Sequence, residues 1–203
     1  MEHDERERAY GRDEYYWGTE PNDLARRTLE HLPSDGSVTV LDVGAGEGRD
    51  AVFFAEQGHD VYAMDDSPAG LAKARRLADE RGVEVRTLEA DVNDLAVPEP
   101  VDVVYSVGAV QYLRPENRRR QFRALQAATT PGGVHVVFAF VDHPDVPTPP
   151  DWTENEHFYD PAELADYYST WTTLDAESIV FEDDSGGEPH EHAAEVLFAQ
   201  KPE

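Results

Sequence analysis

The run Leu41-Asp42-Val43-Gly44-Ala45-Gly46-Glu47-Gly48-Arg49-Asp50 is the densest concentration of chemically capable residues in this 203-residue chain. Glycines at 44 and 46 let the backbone turn sharply and approach a ligand closely. A dinucleotide fingerprint needs its third glycine at position 49, which is Arg49; here the third glycine is Gly48. The Asp42 carboxylate ahead of the first glycine repels a pyrophosphate and suits a cation. S-adenosylmethionine (SAM) carries an ammonium group and a sulfonium, so its charge matches. Asp42, Gly44, Ala45 and Gly46 are therefore the expected contacts to its amino-acid end.

Further acidic residues follow at intervals that place them beside this turn. Asp65 lies 21 residues after Gly44, at the end of the next apolar run, where a carboxylate accepts from ribose hydroxyls in nucleoside-binding α/β sheets. Asp66 and Ser67 follow directly. Asp91 stands after the third strand, suited to an adenine amine, with Val92 against the ring. Ser106 ends the fourth strand. The ordinary alternatives are a plain strand-to-helix turn for the glycines and a helix cap for Asp91.

The elements that must carry these residues alternate along the chain. Ser37 to Val43, Val61 to Met64, Val83 to Leu88 and the Val-rich 101–107 read as strands, the last buried on both faces. Helices are expected over 22–31, capped by Asn22 or Asp23, and over 48–57, ended by Gly58. Ser67 caps and Pro68 opens another to Arg81, ended by Gly82, and Pro115 opens one to Ala128. A strand at 134–141 follows, then a Pro-rich loop and a short helix from Pro161 to Ser169. Strands at 178–181 and 194–199 flank an acidic loop, 182–188. This order predicts an α/β, doubly wound, Rossmann-like sheet of about seven strands. It is mostly parallel, with an antiparallel C-terminal edge hairpin and helices on both faces. Residues 1–203 are expected to form one domain, with 1–14 charge-dense and flexible and 15–35 a lid and helix.

Composition bounds the partners. Seventeen basic against forty-three acidic residues give a net charge of −26. That disfavours nucleic acid, whose duplex carries one phosphate per ~1.7 Å, and anionic membrane. No apolar run approaches the ~18 residues of a span. The N-terminal segment has no apolar core of a signal peptide, so a cytoplasmic location is expected. Without cysteine there is no thiolate metal site or cysteine nucleophile. Fifteen of the basic residues are arginine and two, Lys73 and Lys201, are lysine; with the acidic excess this reads as adaptation to concentrated salt. His190 and His192 alternate on a strand and so share a face, but their acidic surroundings favour a solvated edge, and no metal is expected.

Taken with Tyr15-Tyr16-Trp17, Gly58 to Asp65, Ala90-Asp91-Val92, Pro131-Gly132-Gly133 and Glu163 to Trp171, the glycine turn resembles the class I SAM-dependent methyltransferases. More narrowly, the chain resembles the tellurite-resistance methyltransferases, from about Tyr15 to Lys201. The resemblance implies methyl transfer from SAM, yielding S-adenosylhomocysteine, to a small-molecule acceptor, either a chalcogen oxyanion (tellurite, selenite) or a thiol. No Lys or Arg occurs between Arg123 and Lys201, so an oxyanion finds no cation in that stretch. In-line displacement at an activated methyl is served by proximity and alignment. Tyr16, Tyr112 and Arg49 are the candidate catalytic residues, and Trp17 with Tyr16 a candidate lid over the sulfonium. Plain packing of an N-terminal helix is the other reading of Tyr16 and Trp17. A nicotinamide-dependent oxidoreductase and a non-catalytic SAM or nucleoside sensor are the alternatives. The oligomeric state is open between monomer and homodimer.

Overall fold

The computed structural model describes all residues except Asp151, Ser185 and Gly186. Two of these fall in the acidic 182–188 loop anticipated above, and that part of it lies outside the described residues. Seven strands, β1 (Thr39–Val43), β2 (Asp60–Asp65), β3 (Arg86–Glu89), β4 (Val101–Ser106), β5 (Thr129–Phe140), β6 (Thr172–Asp183) and β7 (His190–Gln200), form one sheet in the order β3-β2-β1-β4-β5-β7-β6. The first five are parallel; β7 runs antiparallel to both β5 and β6. The chain reverses direction across the sheet between β1 and β4, the switch point beside which such sheets bind ligands.

Local chemistry accounts for the helices. In α2 (Asp23–Thr28), Asn22 accepts from the Leu24 N–H as N-cap. Helix α3 (Arg49–Glu56) starts directly from Gly48, which is left-handed (φ 87°). Ser67 Oγ accepts from Gly70 N at 2.9 Å to cap α4 (Pro68–Arg81), which a left-handed Gly82 ends. Helix α5 (Pro115–Ala128) and the short α6 (Glu163–Tyr167) complete the layers. The strands are longer than anticipated at the C-terminus because β6 and β7 pair over their whole length.

One expectation fails. Residues 1–14, read as flexible, contain helix α1 (His3–Tyr10), whose Ala9 and Tyr10 are buried. Arg6 pairs with Asp66 at 2.6 Å, and Ser67 Oγ donates to Glu7. These contacts link residues sixty apart in sequence, so no local pattern announces them.

His135 on β5 is fully buried between the Thr129 and Tyr168 hydroxyls, at 2.6 and 2.8 Å. Burial, with Lys201 adding, lowers its pKa to about 3. Between that value and the ordinary ~6.5 the unfolded chain binds a proton that the folded one does not, so this residue's contribution to stability falls as pH drops through that window. Comparing wild type with His135→Gln by denaturant unfolding from pH 7 to pH 4 should show wild type losing up to about 1.4 kcal/mol more per pH unit. Parallel curves would contradict the buried neutral imidazole.

Candidate active site

Three left-handed glycines build the turn after β1: Gly44 (φ 78°), Gly46 (φ 52°) and Gly48. A Cβ on Gly44 would stand 2.2 Å from the Ala109 Cβ, and one on Gly48 2.5 Å from the Ala74 Cβ. Gly44 and Ala45 donate to the Met64 carbonyl at 2.8 and 2.9 Å, and Gly46 N–H donates to Asp65 Oδ2 at 2.8 Å. The other Asp65 oxygen accepts from Ser67 N–H at 2.9 Å. The turn is thereby tied to the end of β2.

A cavity of about 1130 Å³ opens against this turn. Asp42, Gly44, Ala45, Gly46, Asp65, Asp66, Asp91 and Val92 all border it, as do Tyr16, Trp17, Arg49 and Tyr112. Two of the anticipated residues do not. Ser106 is buried with its Oγ donating to the Val43 carbonyl at 3.2 Å, so it bonds β4 to β1, and Val107 to Ala109 border the cavity instead. Ser67 is also fully buried, and its side chain serves as helix cap and partner of Glu7.

The electrostatics of the cavity floor are unusual. Asp42 is 3% exposed, and its Oδ2 is a buried acceptor without a hydrogen-bond partner; Gln111 Oε1 is another, also bordering the cavity. Burial first, then the neighbouring Asp50 and Asp65, hold the Asp42 carboxyl well above the usual range. Asp50 and Asp65 are raised by burial too, although Asn22 N–H donates to Asp50 at 2.7 Å. Three buried carboxyls thus stand around one cavity wall, where a bound cation would favour their ionised forms. A buried carboxyl oxygen without a partner costs free energy that a bound ammonium would recover, and the fit to SAM rests on that observation.

The aromatic segment sits over the turn by specific bonds. Glu47 accepts from Trp17 N–H at 3.1 Å, Trp17 Nε1–H donates to Tyr10 Oη at 2.9 Å, and Arg49 donates to the Trp17 carbonyl at 3.0 Å. Arg49 also lies 3.8 Å from Asp50. The guanidinium thus ties the aromatic segment to the start of α3 while bordering the cavity. Tyr16 and Trp17 pack edge to face at 4.8 Å and remain 39% and 46% exposed. The Tyr112 ring lies under the Arg6 guanidinium at 5.0 Å, and burial raises its phenol pKa. Asp91 Oδ1 accepts from Asn93 N–H and Nδ2 at 2.7 and 3.0 Å, so the cap reading holds while the residue still faces the cavity.

Sequence reasoning missed two parts of the site. One is the buried pair Lys73–Glu47 at 2.6 Å, which fixes Glu47 under Trp17; the unusual lysine at 73 was its visible trace. The other is a far wall of Phe138, Phe140, Trp152, Ile179 and Phe181. The β5–α6 connection that brings Trp152 there is held by Arg118. Its guanidinium pairs with Glu163 at 2.8 Å, donates to the His157 and Phe158 carbonyls, and lies 3.7 Å from the Tyr159 ring. The solvated-edge reading fails for His192, which is 4% exposed and faces this wall.

Comparison with known proteins agrees with this geometry. Residues 40–133 match the family described as methyltransferase domain. The probable S-adenosyl-L-methionine-dependent methyltransferase TehB of Haemophilus influenzae is 26% identical over 140 residues, covering 67% of this chain and 46% of the relative. Hemagglutinin 1 of Eikenella corrodens is 29% identical over 168 residues, covering 80% and 54%. The crystal structure of Haemophilus influenzae TehB superposes with a TM-score of 0.81 at 22% identity, covering 92% of this chain and 64% of that one. The chain spans about half the length of these two curated relatives. Fold, turn and domain match together make the chain similar to the SAM-dependent methyltransferases, TehB among them, with the methyltransferase-domain match lying over residues 40–133.

Proposed function

We propose that this protein transfers the methyl group of SAM to a small soft nucleophile carrying an apolar or aromatic body, a thiol rather than a chalcogen oxyanion. The aromatic wall opposite the glycine turn carries this reading. No Lys or Arg stands between Arg123 and Lys201, and of the four arginines bordering the cavity three have carboxylate partners, Arg6 with Asp66, Arg27 with Asp175 and Glu177, Arg49 with Asp50, Arg114 being the fourth. An oxyanion would enter a mostly acidic cavity.

When bound, SAM supplies an activated methyl group. Asp42 would take its ammonium, Gly44 to Gly46 let its amino-acid end approach, and Asp65 and Asp66 accept from the ribose hydroxyls. A carboxylate has about four acceptor positions, so the two backbone bonds at Asp65 leave room for the sugar. Asp91 and Val92 would meet the adenine. Tyr16 and Trp17 would close over the sulfonium, their ring faces attractive to it by about 0.5–2 kcal/mol, and Tyr112 would orient the acceptor. The site's work is alignment and exclusion of water.

Asp42→Asn separates binding from stability. Burial favours the uncharged form of this carboxyl, so a neutral amide should leave the ligand-free protein at least as stable at neutral pH. SAM affinity in calorimetry should fall roughly ten- to a hundredfold, the loss of a charge-assisted bond. Unchanged affinity would place the amino-acid end elsewhere. The acceptor is tested by following S-adenosylhomocysteine release in molar KCl with aromatic thiols, aliphatic thiols, tellurite and selenite. Aromatic thiols should turn over fastest, and Phe181→Ala should raise their KM with little change in kcat. Turnover with tellurite alone would overturn the acceptor reading and leave the SAM site standing.

A further inference from the structure

Where β6 and β7 end, three donor groups converge beside the aromatic wall. The Nε2 atoms of His190 and His192 lie 2.9 Å apart, and Asp183 Oδ2 lies 3.5 Å from the second and 4.0 Å from the first. The pairing register explains the convergence: Asp183 stands opposite His190, and His192 is two residues on, hence on the same face. Asp183 and His192 border the cavity.

The geometry points to a divalent transition cation, of the zinc class, held by His190, His192 and Asp183 with its remaining positions open to the acceptor end of the cavity. Ligand atoms about 2.0–2.1 Å from zinc, at angles between square and tetrahedral, stand about 2.9–3.4 Å from one another. The two imidazoles already meet that spacing, and the carboxylate needs to close by about half an ångström. His190 Nδ1 lies 2.7 Å from the Glu188 carbonyl. A carbonyl accepts only, so Nδ1 carries the proton and Nε2 presents its lone pair to the cluster, the orientation that metal-binding histidines receive from outer partners. His192 is packed by Phe140 and Phe181, with ring centroids at 4.9 and 5.5 Å, which fixes its plane and keeps bulk water off one side.

Two imidazoles and one carboxylate favour zinc and its neighbours over magnesium or calcium. With three protein ligands, a tetrahedral ion keeps one position for water or an incoming donor. Such an ion supplies the positive charge that residues 124–200 lack. A thiol coordinating it would lose its proton to solvent and present a thiolate. That role toward the acceptor rests on the methyl-transfer reading above; the metal site itself does not.

The test titrates Co²⁺ into the full chain, stripped with EDTA, in about 1 M KCl with excess Mg²⁺ to saturate and screen the acidic surface. Wild type should bind one equivalent, developing visible d–d bands that Zn²⁺ abolishes. The His190→Ala/His192→Ala variant should lose the bands, and Asp183→Asn should bind at least tenfold more weakly. SAM titration of each variant serves as the folding control; Asp183→Asn, the milder change, carries the test if the double variant fails it. Absence of a saturable band in wild type, or identical spectra in wild type and the variants, would overturn the site. SAM binding without metal binding refutes this inference alone, whereas metal binding without SAM binding refutes the methyl-transfer reading alone.

Discussion

One buried carboxylate joins the pieces on which the site depends. Asp65 accepts from Gly46 N–H through one oxygen and from Ser67 N–H through the other, so the end of β2, the glycine turn and the start of α4 share one anchor. The close approach is tight enough that a Cβ on Gly70 would stand 2.8 Å from the Gly46 carbonyl. The left-handed backbone at Gly44, Gly46 and Gly48 then follows from geometry. Without that anchor the turn keeps its bonds to the Met64 carbonyl but Gly46 loses its tie to the start of α4.

That anchor places negative charge in a poorly solvated region. Asp42, Asp50 and Asp65 are all raised by burial, which means the fold favours their neutral forms and a bound cation would favour the ionised ones. The proposed function gives a reason for tolerating that burial, since a carboxylate attracts a cation most strongly where it is least solvated. The chain reserves its few buried cations for structural pairs, Lys73 with Glu47 and Arg118 with Glu163. The first sets the aromatic segment over the turn and the second sets the loop that brings Trp152 to the far wall.

What the sequence made legible was local. Ser67-Pro68 and Gly82 bracket α4 because a side-chain cap, a preset φ and a left-handed stop act within one helix. The parallel strands were readable as apolar runs, and the hairpin from the missing helix between the last two. That β7 sits inside and β6 at the edge was not readable, because it depends on how β7 pairs with β5. Helix α1 looked flexible because its charges find their partners sixty residues away, and Ser106 looked like a ligand although its hydroxyl bonds a neighbouring strand. The burial of His192 depends on Phe140 and Trp152, whose arrival no spacing announces. The glycine turn was legible and the aromatic wall was not, since the turn is one short segment and the wall is assembled from three.

The most direct test of the proposed cation receptor is a crystal structure with S-adenosylhomocysteine bound. Its ammonium group should lie within hydrogen-bond reach of Asp42 Oδ2, about 2.7–2.9 Å directly or through one ordered water, with the ribose beside Asp65. A ligand whose ammonium docks elsewhere, leaving the Asp42 oxygen without a partner, would contradict it.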